Sequence, residues 1–220
     1  HTVYAFEPTS SSFARLIHNL RDQHVVFSNG SLLGQGHRST QRNQASRNVS
    51  GNVVAFNAAV SNHSGKAVLW QAGAYGFSNS LGGLKALPQS FSSKAVRATV
   101  DVLTLDALLI GREEGVFLLK IDSQGHEYHV LRGALGFIKT HPVHAILLEF
   151  YPKGLLAAGV STLDLLYMLH QELQYQCFDI GPNASPRALT LEDFTAAYPP
   201  TGLTEYGKWT DLLCLDFRLT

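Results

Sequence analysis

Charge is scarce in this chain: Asp, Glu, Lys and Arg make up 15% of its 220 residues, against about a quarter in ordinary soluble domains. Disorder does not follow, because 45% of the residues are hydrophobic and 10% aromatic, and a disordered chain needs low hydrophobicity with high net charge. No apolar run approaches the ~18–20 residues that cross a bilayer as a helix, so no transmembrane helix is expected. Cysteine is nearly absent as well. Two in 220 residues cannot build a disulfide framework, and Cys177 and Cys214 are expected as buried free thiols in the last two strands. Acid is missing from one long stretch. Between Asp22 and Asp101 there is no carboxylate but seven basic residues: Arg38, Arg42, Arg47, Lys66, Lys85, Lys94 and Arg97. With no aromatic ladder among these sparse charges, a nucleic-acid partner is not expected. The first residue is His1 rather than Met, so an upstream translation start is expected, and localisation is not legible.

What is present is an alternation of short apolar runs with helical patterns, the signature of a largely parallel α/β sheet. Strands are predicted at Val3–Phe6, Val53–Phe56, Lys66–Trp70, Ala98–Leu103, Val116–Ile121, His144–Phe150, Tyr175–Ile180 and Asp211–Arg218. VFLLKI at 116–121 reads as buried on both faces. Helices are predicted at Ser10–Leu20, from Thr104 or Asp106 to Ile110, at His126–Ile138 and at Ser161–Leu173. Residues 28–52, poor in apolar side chains, read as a mobile polar surface insertion. A connection of about 30 residues separates the last two strands. The whole, 1–220, reads as one domain.

In open parallel sheets ligands bind at the carboxyl ends of the strands. Polar residues stand there without a packing reason: Glu7, Asn57, Asp122 and Glu149. A carboxylate one residue past a strand can accept both hydroxyls of a ribose, and an amide at the next strand end can pair with an adenine edge. Lys120, two residues before Asp122, is costly in an apolar strand end unless paired or functional.

Four segments carry a resemblance: VYAFEP at 3–8, NAAVSNHSG at 57–65, TVDVLTLDAL at 99–108 and LLKIDSQGHEYHVLRGA at 118–134. In that order they resemble the FkbM-type methyltransferases, S-adenosylmethionine-dependent enzymes with a Rossmann-like sheet and helices on both faces. The resemblance runs from residue 3 to about 150. It implies that Glu7 holds the cofactor ribose, that Asn57 and Ala59 lie near the adenine, and that Asp122 faces methyl donor and acceptor, with His126 as a second candidate base. Gln124 stands where the family usually carries Glu. The family's first strand and glycine-rich loop precede the position of Val3, so the domain is expected to be incomplete at its front end and to bind the cofactor poorly alone. Gly34-Gln35-Gly36 follows no strand and is not expected to replace that loop.

The expected activity is O-methylation of a small-molecule or sugar hydroxyl; a non-catalytic domain of the same fold is the alternative. The pairs His126/His129 and His141/His144 have H-x-x-H spacing, but surface or strand-end histidines are the expected reading rather than a metal site. The sequons at Asn29, Asn48, Asn62 and Asn183 are expected to be chance tripeptides in an Asn/Ser-rich chain. Oligomeric state is not legible.

Overall fold

The computed structural model describes residues 1–20, 24–28, 52–71, 80–81, 83, 94–181, 190–199 and 208–219. The polar segment 29–51, with Gly34-Gln35-Gly36, lies outside the described residues. Ten strands are described: β1 (Thr2–Phe6), β2 (His24–Ser28), β3 (Asn52–Phe56), β4 (Ala59–Val60), β5 (Gly65–Gln71), β6 (Val96–Leu103), β7 (Val116–Ile121), β8 (Val143–Phe150), β9 (Tyr175–Asp179) and β10 (Thr210–Asp216). Seven helices accompany them: α1 (Ser10–Asn19), α2 (Leu105–Leu109), α3 (Glu127–Arg132), α4 (Leu135–Thr140), α5 (Pro152–Ala157), α6 (Thr162–Tyr167) and α7 (Leu191–Ala197).

The α/β class is as expected, and the mostly parallel sheet is met in part. Three small sheets form, in the orders β1-β3-β2, β7-β8-β10-β9 and β4-β6-β5. The first is wholly parallel. In the second only β7 and β8 run parallel, and β10 pairs antiparallel with both β8 and β9. The third joins a parallel β4–β6 pair to an antiparallel β5–β6 pair. The division has a local cause. Among the described residues β1 pairs only with β3 and β7 only with β8, so each ends its sheet with no described strand on its other side. VFLLKI is therefore an edge strand rather than one buried on both faces: Phe117 is 82% exposed and Leu118 46%.

The main core lies between the β7-β8-β10-β9 sheet and its helices, around Leu131, Phe137, Ile146, Leu148, Leu165 and Leu212, all 1% exposed or less. Helix α1 turns Phe13, Leu16, Ile17 and Leu20 to one half-buried face, as i, i+3, i+4 spacing requires. Helix α6 begins in a capping box: Ser161 Oγ accepts from Asp164 N while Asp164 Oδ2 accepts from Ser161 N. The turns after it widen, and Leu173 N donates to Met168 O in an i→i+5 bond.

The predicted helix 126–138 is two helices. Asp106 takes the N–H groups of Gly136 and Phe137 on its carboxylate at 3.0 and 2.7 Å and so starts α4 afresh. At the joint, Gly133 sits so close to the chain at Ser61 that a Cβ would meet Ser61 O at 2.0 Å. Asp106 of the TLDAL motif is thus a helix cap. The connection between the last two strands is not structureless, because α7 lies in it.

Cys177 and Cys214 face each other across the antiparallel β9–β10 register and form a disulfide with a Cα–Cα distance of 3.9 Å. The expected free thiols are corrected: the two strands do neighbour each other, and the pairing brings the sulfurs within bonding reach.

Candidate functional site

The chain leaves β1 at Glu7 and β3 at Asn57, and the two residues meet. Glu7 N donates to Phe56 O at 3.0 Å, continuing the β1–β3 ladder one residue past the strand. Asn57 Nδ2 donates back to Glu7 O at 2.8 Å and Pro8 O at 3.2 Å. Glu7 Oε1 accepts from Thr9 N at 2.7 Å, just ahead of α1. Among the described residues Glu7 Oε2 takes no hydrogen bond, so one carboxylate oxygen remains open to a ligand. Ala59 does not share this setting. It is 5% exposed and packs with Leu69, Val100 and Val102, so its side chain is spent on the core.

A second group gathers beyond β7. Asp122 is exposed, and its Oδ2 accepts from Lys120 Nζ at 2.9 Å, the partner that Lys120 needs. Gln124 bridges two carboxylates: Nε2 donates to Glu149 Oε2 at 2.8 Å and to Asp122 Oδ1 at 3.3 Å. The backbone is special here. Gln124 has φ 54° and Gly125 φ 93°, a left-handed pair that costs a non-glycine residue free energy. Gly125 also lies against α5, where a Cβ would come within 2.3 Å of Gly154 C.

Glu127 holds this turn from inside. It is fully buried, and Oε1 accepts from Ser123 N at 3.0 Å, Ser123 Oγ at 3.0 Å and Gly125 N at 3.1 Å, while Oε2 is buried with no partner. Burial pushes its pKa up to about 7, against the pull of those hydrogen bonds. Glu149, near the carboxyl end of β8, is pushed up to about 8, first by burial and then by the charges of Glu127, Asp122 and Asp211. Asp211 lies directly across the β8–β10 ladder from it. At neutral pH Glu149 is thus held mostly as the acid, next to an ionisable partner through Gln124.

His126 stands apart from this chemistry. It is buried, Nε2 lies 2.9 Å from Ser61 Oγ, and Nδ1 is buried without a partner. Burial, with smaller contributions from His129 and His63, lowers its pKa to about 3. Burial of this kind weakens the ring as a proton acceptor, so Asp122 and Glu149 rather than His126 are carried forward as candidate bases. Its ring packs against that of His129 with centroids 4.5 Å apart. Among the described residues no group of three His, Cys, Asp or Glu is placed to hold a metal ion.

The structure therefore joins Glu7 to Asn57, and Asp122 to Gln124 and Glu149. Glu149 and Glu127 gain their weight from folding: one sits inside an apolar strand and the other opens a helix, and only burial and the shared turn reveal what each does. No helix among the described residues is long and apolar enough to cross a membrane.

Residues 1–177 match the family described as the methyltransferase FkbM domain. No curated protein and no solved structure shows a significant match.

Proposed function

The chain belongs to the methyltransferase FkbM domain family, and on that premise we propose that it moves the methyl group of S-adenosylmethionine to a hydroxyl oxygen of a small molecule or sugar. The observation that carries this reading is the bridge from Asp122 through Gln124 to Glu149, directly after β7, in the segment most specific to the family. It gives a hydroxyl two carboxylates as partners, one exposed and one with its pKa raised to about 8.

The residues at the ends of β1 and β3 fit the adenosine half of that cofactor. Glu7 has a carboxylate oxygen with no partner among the described residues to offer ribose hydroxyls, and charge-assisted bonds of that kind are strong; Asn57 fixes the loop on which Glu7 sits. When bound, S-adenosylmethionine supplies a methyl group activated by its sulfonium charge. The protein has to bind, align and take up a proton. Asp122 and Gln124 orient the acceptor hydroxyl, a contribution that comes from fixed geometry. Asp122 or, in its ionised fraction, Glu149 receives the hydroxyl proton as the oxygen–carbon bond forms. Glu127 and Gly125 act through the turn, by holding Gln124 in its left-handed conformation.

Among the described residues no strand pairs with the outer sides of β1 and β7, which supports one further element of this reading. A parallel strand seated between them, from whichever part of the full-length protein, would join two of the three sheets into one Rossmann-like sheet. The functional test is transfer of labelled methyl from S-adenosylmethionine by the full-length protein to a panel of sugar, polyketide, lipid and amine acceptors. Label on a hydroxyl oxygen is expected; label confined to nitrogen would change the acceptor class.

A further inference from the structure

We propose that Asn62 is an N-glycosylation site and that the chain matures in an oxidising, glycosylating lumen. The inference is independent of methyl transfer. Asn62-His63-Ser64 is an acceptor sequon, a pattern that by itself arises often by chance. The fold separates this one from a chance tripeptide. All three residues are exposed in the turn between β4 and β5. The backbone just before them is pinned: Ser61 N donates to Leu103 O at 3.0 Å, and Ser61 O lies against Gly133. Asn62 Oδ1 accepts from Ser61 Oγ at 3.3 Å and lies 3.1 Å from His63 Nδ1. Its amide nitrogen, the atom that a glycan would occupy, has no partner among the described residues. Among the described residues a sugar there displaces no core contact and breaks no hydrogen bond of the amide nitrogen.

The second observation comes from β9 and β10. Cys177 and Cys214 are joined as a disulfide, and both are fully buried. Disulfides form and persist mainly in oxidising compartments, and in eukaryotic cells the lumen that oxidises thiols is also the one that glycosylates asparagine. Two separate features thus point to one compartment. The sequons at Asn29, Asn48 and Asn183 lie outside the described residues.

The chemistry balances without a redox step at Asn62. Its Nδ2 attacks the anomeric carbon of a polyprenyl-diphosphate-linked oligosaccharide. The N–C1 bond forms, the C1–O bond to the diphosphate breaks, the polyprenyl diphosphate leaves, and the amide proton passes to a base of the transferase. In the same lumen the two thiols lose two electrons and two protons to a thiol–disulfide oxidoreductase.

The test directs the full chain into the secretory pathway of cultured eukaryotic cells and recovers both secreted and retained protein. Peptide N-glycosidase in heavy-oxygen water converts a glycosylated asparagine to labelled aspartate, which peptide mass spectrometry locates. Labelled aspartate at position 62 is expected. Asn62→Gln and Ser64→Ala should each remove one step from the electrophoretic ladder, and Ser64→Thr should keep it. Alkylation of the denatured protein should reach Cys177 and Cys214 only after reduction. An unmodified Asn62, whether or not another sequon carries sugar, overturns the site. Thiols that alkylate without reduction overturn the oxidising compartment. Neither readout depends on catalytic activity, so failure here is distinguishable from failure of the methyltransferase reading.

Discussion

Gln124 donates its side-chain amide to Glu149 at 2.8 Å, tying the left-handed turn after β7 to the next strand. Through it the exposed Asp122 and the half-buried Glu149 become one polar unit. A glutamate at 124 would put a third carboxylate between the two. The amide instead supplies the donor that two close carboxylates need.

Asp122→Asn keeps the shape and one acceptor oxygen, enough for Lys120 Nζ or Gln124 Nε2 but not both, and removes the charge. Turnover in the full-length protein should fall by about 10²–10⁴-fold, the range for losing a positioned base or orienting group, with the melting temperature unchanged. Activity within a factor of three of the parent would make Asp122 a turn residue only.

Glu149 sets a pH dependence. Its carboxyl titrates near 4.5 when unfolded and about 8 when folded, and Glu127 moves the same way, to about 7. The folded state binds more protons across that window, so stability is highest at its acid end and falls as pH rises from about 4.5 toward 8. Glu149→Gln should flatten this slope in thermal melts taken from pH 5 to 9. If Glu149 is the base, the parent's turnover should rise through about pH 8 and the variant's should not. Parallel melting curves for the two proteins would contradict the burial-raised pKa.

Gly125→Ala combines two faults, a side chain at φ 93° and a Cβ within 2.3 Å of Gly154 C. Each strained feature of this kind costs on the order of 1–3 kcal/mol, so the variant should lose at least that much in denaturant unfolding. A wild-type midpoint would mean that the turn does not pack on α5 as described.

The edge of β7, which no described strand covers, predicts self-association. An unpaired apolar strand is a template for another chain, and Phe117, at 82% exposure, can be changed without disturbing a core. Sedimentation velocity of the 220-residue chain should show concentration-dependent association that Phe117→Lys reduces. Equal association of the two proteins would point to another contact.

Much of this was legible in the sequence because it rests on local signals. The alternating runs located β1, β3, β6, β7 and β8 within about two residues, and the strand-end rule singled out Glu7, Asn57, Asp122 and Glu149. The misses share a physical origin in tertiary contacts. Nothing local in residues 126–138 reveals that Asp106, some 30 residues earlier, restarts the helix at Leu135. VFLLKI has the composition of a central strand, and only the pairing pattern leaves it at an edge. Two cysteines 37 residues apart do not announce a bond until β9 and β10 set them opposite each other. The burial of His126, which lowers its pKa, is not written in spacing either.

The account turns on whether the ends of β1 and β3 hold the adenosine of S-adenosylmethionine. The most direct measurement is calorimetric titration of the full-length protein with that cofactor, beside Glu7→Gln and Lys66→Ala. Glu7→Gln retains an acceptor for Thr9 N but loses the charge offered to ribose, and Lys66 pairs with Asp101 across the antiparallel β5–β6 pair. The prediction is saturable binding that Glu7→Gln weakens by about 1.5–3 kcal/mol, the range for a hydrogen bond to a charged group, and that Lys66→Ala leaves unchanged. Equal affinity for the parent and Glu7→Gln would contradict it.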